Sequence, residues 1–292
     1  MSVDILQEKI RKAKNPTMVE LCLKQSDLPE FLVEEEGSAA LAYGRFAREL
    51  LGGLKGLVPA VRVSFASFAL LGPEGMTQLV QVLQYAHEQG FYVLLEAPEM
   101  LSHHSAEMTA QALWGENSPY ICDGLLIGCY PGSDVIKPFL PHVKKGTRDL
   151  FVVARTSNKS APELQDLLTG SRLVHAAAAD HINRYGTDTA GKHGYTRVGA
   201  LAAASAPESL KNLRVRYPKL FLLLDGADYP NANAKNCSAA FDKYGHGAIA
   251  IVSVSVTRAW QLAEGDSREF VKYAVSAAER MKRNLNRYVN VL

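Results

Sequence analysis

No excess of either charge marks this 292-residue chain: 32 Lys and Arg stand against 30 Asp and Glu, a net of +2. So even a balance, with the signs interspersed, gives phosphate backbones little to attract them and excludes a basic nucleic-acid binder. Cysteine is scarce as well. Cys22, Cys122, Cys129 and Cys237 show neither C-x-x-C spacing nor a dense framework, which excludes a zinc ribbon or disulfide scaffold and fits reduced thiols. No apolar run approaches the roughly 18 to 20 residues that a membrane span needs. Residues 1–14 carry Asp4, Glu8, Lys9, Arg11, Lys12 and Lys14 where a signal peptide would need an apolar core. The expectation is a cytoplasmic protein with no membrane partner, in which Asn158-Lys159-Ser160 and Asn236-Cys237-Ser238 are not glycosylation sites.

Several catalytic signatures are missing too. There is no G-x-S-x-G elbow, H-E-x-x-H helix or spaced Cys/His set. Residues 186–193 nearly spell a phosphate loop, but His193 stands where a Mg²⁺-binding hydroxyl is required and a helical pattern precedes it, so they read as a flexible Gly-rich loop. Nothing calls for a cofactor.

What is present is a beat. After an amphipathic helix with Ile5, Leu6 and Ile10 on one face, stopped at Asn15-Pro16, β-like runs fall at residues 17–23, 60–65, 91–96, 121–127, 150–155, 198–204, 220–224 and 248–252. Helical stretches follow them, and Gly90 or Pro207 punctuates the boundaries. A long helical region is expected over residues 161–185. Nearly continuous apolar strands suit a parallel sheet covered outside by helices. Eight such units predict an α/β fold, a (β/α)₈ TIM barrel with an extra N-terminal helix, as one domain over residues 1–292. A doubly wound sheet would need a glycine loop after its first strand, where Leu21-Cys22-Leu23-Lys24 stands instead.

Barrel chemistry sits at the C-terminal strand ends. Those positions offer Cys22 and Lys24, Arg62 and Ser64, Glu96 and Glu99, Gly128 and Tyr130, Thr156 to Asn158, Ser205, Asp225 and Asp228, and Ser253 and Ser255. His103-His104, with Glu96 and Glu99 upstream, form a candidate metal or acid/base cluster, the competing reading being a solvated loop before a helix. Asp225-Gly-Ala-Asp228 reads as ligands or as turn and capping residues.

In order along the chain, Asn15-Pro16-Thr17, Phe68 to Gly75, Tyr130 to Asp134 with Lys137 to Leu140, Arg155 to Asn158 with Leu164 to Leu167, Val198 to Ala200, Pro207 to Leu210 and Ala240 to Ile249 resemble the orotidine 5'-monophosphate decarboxylases of the longer bacterial type. The resemblance implies a (β/α)₈ barrel, a homodimer with sites at the interface, and conversion of the substrate to UMP and CO₂ in pyrimidine biosynthesis. It also implies a charged network: a Lys on strand two, then Asp-Ala-Lys-x-x-Asp after strand three, whose Lys protonates the carbon that loses CO₂.

Here that network is replaced. Arg62 stands for the strand-two Lys, and the motif reads Glu96-Ala97-Pro98-Glu99-Met100-Leu101. Pro98 therefore takes the place of the proton donor and Leu101 that of the second Asp. Proline has no proton to give, and a guanidinium with a pKa above about 12 is a poor acid. Arg62 and Glu96 are expected to form a structural ion pair. Cys22 replaces the ribose-binding Asp. Asp225, Asp228 and Tyr229 enter the phosphate loop, and Ser253-Val254 replaces Ser-Arg, with Arg258 four residues on. Thr156, Ser157 and Asn158, which the resemblance turns toward the pyrimidine, are intact.

The expected function is a divergent homologue without decarboxylase activity, with a small-molecule ligand at the mouth bounded by Cys22, Arg62, Glu96, Thr156, Ser157, Asn158, Asp225, Asp228, Tyr229 and Ser253. Two alternatives stand beside it. One is a new metal or acid/base site at Glu96, Glu99, His103, His104, Asp225 and Asp228. The other is family activity retained through other residues.

Overall fold

The computed structural model describes residues 3–292; Met1 and Ser2, at the head of the segment read for a targeting signal, lie outside them. Ten strands follow in chain order: β1 (Thr17–Leu21), β2 (Ala60–Ser64), β3 (Tyr92–Glu96), β4 (Gly124–Ile127), β5 (Asp149–Val153), β6 (Leu168–Thr169), β7 (Arg172–Leu173), β8 (Val198–Ala203), β9 (Leu222–Asp225) and β10 (Ala248–Val252). Eight of them close a barrel in the order β1-β10-β9-β8-β5-β4-β3-β2. Every neighbouring pair in it is parallel. This is the (β/α)₈ barrel with an N-terminal helix that the apolar beat predicts.

The apolar strands are buried because both of their faces are covered: β2, β4, β8 and β10 are buried throughout. Helices Ala39–Leu54, Gly72–Glu88 and Phe270–Asn286 lay apolar stripes against the outside. Tyr43 stacks on Phe68, and Phe46 on Phe270. The first helix, Val3–Ala13, closes the N-terminal end, where Leu6 and Ile10 are fully buried, at about 1.5 to 3 kcal/mol each. Polar side chains of this helix tie down the loops that lead into two strands. Gln7 Oε1 accepts the Gly247 N–H at 3.1 Å, and Asp4 Oδ1 accepts the His193 N–H at 3.0 Å.

That second bond corrects the flexible-loop expectation for residues 186–193. Lys192 and His193 face Glu8, Ala190 bridges to Thr196, and a Cβ on Gly191 would fall 2.3 Å from the Asp4 carboxylate. The expected long helix over residues 161–185 is also different. A short 3₁₀ turn, Ala161–Glu163, leads to the antiparallel hairpin β6-β7, and the helix begins only at Val174. Gly170, at φ +63°, enters the two-residue turn that reverses the chain there. No helix of the described residues is long and apolar enough to cross a membrane.

Candidate functional site

Strand alternation places Glu20, Arg62 and Glu96 on one side of the sheet. Glu20 is level with Arg62 across β1 and β2, Arg62 is level with Leu94, and Glu96 lies two residues further along β3. The Arg62 guanidinium, only 9% exposed as a residue, therefore points along the barrel axis into a ring of carboxylates. Its Nε and Nη2 both donate to Glu96 Oε2, at 3.1 and 2.5 Å. Its Nη1 meets Glu20 Oε1 at 3.1 Å and Asp225 Oδ1 at 3.2 Å.

One cation thus serves three anions inside the protein. Burial disfavours the Arg62 charge, but Glu20, Glu96 and Asp225 outweigh it and raise its pKa. Glu20 shows the opposite balance: burial, seconded by repulsion from Asp225 and Glu96, lifts its pKa despite Arg62. Glu96, with 35% of its side chain exposed, is the member a ligand would meet first.

The loop after β9 completes the network. Ser157 donates to Asp225 Oδ2 from both its backbone N–H, at 3.1 Å, and its Oγ, at 2.6 Å. Gly226 permits this approach, because it has φ +66° and a Cβ there would lie 2.7 Å from Ser157 Oγ. Three residues on, Asp228 Oδ2 accepts the N–H groups of Ser253 at 2.9 Å and Ser255 at 3.0 Å. A carboxylate of the protein therefore fills the backbone donors at the start of the turn after β10. The capping reading of Asp228 holds, and Asp225 is a network ligand. Arg258 turns away to Asp27, at 3.3 Å, and to Gln261.

The network gathers Arg62, Glu96, Ser157 and Asp225 among the expected residues. The expected Arg62–Glu96 pair is present, enlarged by Glu20 and Asp225. Glu20 is the residue that sequence reasoning missed. Its signal was a lone charge on an apolar strand, level with Arg62. Ser253 is buried beside Asp228, whereas Cys22, Asn158 and Tyr229 are exposed around the opening. Thr156 is tied to Gln165 through its N–H, at 2.8 Å.

Pro98 and Leu101 lie on the irregular segment after β3, and Leu101 is 85% exposed. Glu99 lies over Gly128, whose added Cβ would meet its carboxylate. His103 and His104 open the helix His103–Trp114. His103 meets Glu107 at 3.3 Å and the Asp134 carbonyl at 3.1 Å, outside the network. Among the described residues no three His, Cys, Asp or Glu side chains gather as a cation site.

No family model matches the chain. It is similar to the orotidine 5'-phosphate decarboxylase of Rhodopirellula baltica, 31% identical over 220 residues that cover 74% of this chain and 73% of the relative. The Clostridium perfringens enzyme of the same name is 26% identical over 283 residues, 97% of each chain. Among solved structures, the barrel superposes on OMP decarboxylase of Leishmania donovani with a TM-score of 0.72 at 21% identity, covering 97% of this chain and 99% of that one. It superposes on the Plasmodium berghei orotidine 5'-monophosphate decarboxylase with a TM-score of 0.76 at 14% identity, covering 97% and 99%. These two likenesses carry the fold, and the Rhodopirellula relative carries the lineage: the chain belongs to the orotidine 5'-phosphate decarboxylase family.

Proposed function

We propose that this chain keeps the family barrel but does not decarboxylate orotidine 5'-monophosphate, and that its mouth takes a small ligand without a phosphate dianion. The observation that carries this reading is the closed network on Arg62: the one guanidinium at the centre already holds Glu20, Glu96 and Asp225. Held by its own carboxylates, the Arg62 charge is already neutralised before a substrate carboxylate could reach it. Nor is a proton donor placed at Pro98, where the resemblance calls for one.

Asp228 supports the same reading at the other end of the ligand. Its carboxylate already uses the Ser253 and Ser255 N–H groups. Loops after the last two barrel strands are the usual phosphate cradle of this fold. An anion about 4 Å from Asp228 would be repelled by about 4 kcal/mol at an effective dielectric of 20, roughly a thousandfold in affinity. Glu96, about a third open to solvent, suits instead a cationic or hydrogen-bond-donating group. Leu101 and Tyr130, 85% and 87% exposed, lie on loops after β3 and β4. They support a homodimer in which a second copy covers this face.

Calorimetric titration with uridine 5'-monophosphate tests the ligand side of the reading. No measurable binding at millimolar nucleotide is expected. A dissociation constant in the micromolar range would overturn it.

A further inference from the structure

Away from the Arg62 network, a second set of polar side chains lines up at the same end of the barrel. Arg155, just past β5, holds Asp166 by two bonds, Nε to Oδ1 and Nη2 to Oδ2, each 2.9 Å. Asp166 Oδ1 lies 3.1 Å from His175 Nδ1, and His175 Nε2 lies 3.3 Å from Ser209 Oγ. His175 is 7% exposed, while Ser209 is half-buried in the first turn of the helix Pro207–Arg216.

The contacts fix the proton. His175 Nδ1 also meets the Gln165 carbonyl at 3.0 Å, and neither a carbonyl nor an ionised carboxylate can donate, so the ring N–H sits on Nδ1. Arg155 keeps Asp166 ionised by lowering its pKa. The Nε2 lone pair is then left facing the Ser209 hydroxyl. Acid, imidazole and hydroxyl stand in the relation that activates a serine, a relation recognised by geometry and role and recurrent on unrelated folds.

The surroundings of Ser209 supply two further parts. The helix opens with Pro207, and its N-cap residue Ala206 offers no side-chain cap. The first-turn N–H groups of Glu208 and Ser209 have no partner within the helix and point toward its N-terminus, where a developing oxyanion is stabilised. On the segment that carries Asp166, Leu164, Leu167 and Leu168 are 46%, 51% and 73% exposed, an apolar surface on the same segment that orients His175.

We infer that Ser209 is a nucleophile toward esters of small apolar acids, activated by His175 and oriented through Asp166. In the first step Ser209 Oγ bonds to the ester carbonyl carbon while its proton passes to His175 Nε2. The tetrahedral intermediate collapses with loss of the alcohol, which leaves with that proton. Water then attacks the acyl-serine with His175 as base, the Oγ–acyl bond breaks, and Ser209 regains its hydrogen as the free acid departs. Asp166 is a positioning residue, since it touches only His175 and Arg155.

The test uses the full chain with p-nitrophenyl butyrate and, separately, a fluorophosphonate. The expected result is a single fluorophosphonate adduct mapped by peptide mass spectrometry to Ser209. Ser209→Ala should abolish it and slow nitrophenol release by about 10²-fold or more at unchanged melting temperature. Asp166→Asn should lower kcat with KM unchanged. No adduct at Ser209, or wild-type hydrolysis by Ser209→Ala, would overturn the inference. Neither result bears on the mouth, where Ser209 has no part.

Discussion

Arg62 decides the character of the barrel mouth because three carboxylates depend on it. Replacing it with Met removes the only cation from Glu20, Glu96 and Asp225, and breaking a buried ion pair from one side costs about 3 to 5 kcal/mol. Denaturant unfolding should show a loss of that size for Arg62→Met and a smaller one for Glu20→Gln, which keeps a neutral acceptor at a position that burial already drives toward the neutral form. Equal stability of Arg62→Met and wild type would mean that the network is not formed. Gly226 is a second single-residue control. A Cβ there meets Ser157 Oγ at 2.7 Å and needs φ +66°, so Gly226→Ala should destabilise by more than the roughly 1 kcal/mol of an ordinary glycine exchange. Most of this site was legible in the sequence. Arg62, Glu96, Ser157 and Asp225 stand out once strand ends are aligned, but Glu20 joins only through its register with Arg62, which is a property of the closed barrel.

At the scale of elements, the strands were legible and the connections less so. An apolar run bounded by glycine or proline has one outcome in a covered parallel sheet: six of the eight barrel strands fall within the expected segments, while β5 starts one residue early at Asp149 and β9 ends one residue late at Asp225. The region over residues 161–185 misled because its alanines and leucines have helical spacing, while the hairpin β6-β7 depends on a single turn at Gly170. The last βα turn rests on Asp228, whose Oδ2 caps the N–H groups of Ser253 and Ser255. Asp228→Ala should cost about 1 kcal/mol in thermal unfolding, the usual value of a lost cap, and no loss would argue that the two N–H groups find solvent instead. The Gly-rich loop before β8 shows the reverse lesson: its composition suggests mobility, yet helix Val3–Ala13 pins it through Asp4.

For the whole molecule, the two ends of the barrel carry charge differently. At the N-terminal end Asp149 is fully buried with Tyr92 Oη donating to Oδ2 at 2.7 Å. Burial pushes its pKa up to about 7 from an ordinary 3.8, the Tyr92 bond opposing the rise. A raised carboxylate pKa means that the folded state holds the extra proton. Its contribution to stability is complete below about pH 4 and is lost as pH climbs through 7. Asp149→Asn, which stays neutral, should therefore gain stability relative to wild type between pH 4.5 and 8, read as the difference in melting temperature. A difference independent of pH would contradict that placement of the charge. At the C-terminal end, Glu20, Glu96 and Asp225 surround the buried Arg62, and there the family chemistry is in question. The most direct measurement is the ultraviolet assay of purified protein with saturating orotidine 5'-monophosphate. No uridine 5'-monophosphate above the uncatalysed background is expected, whereas turnover within a few orders of magnitude of about 10 per second, ordinary for enzymes, would contradict the loss of decarboxylation.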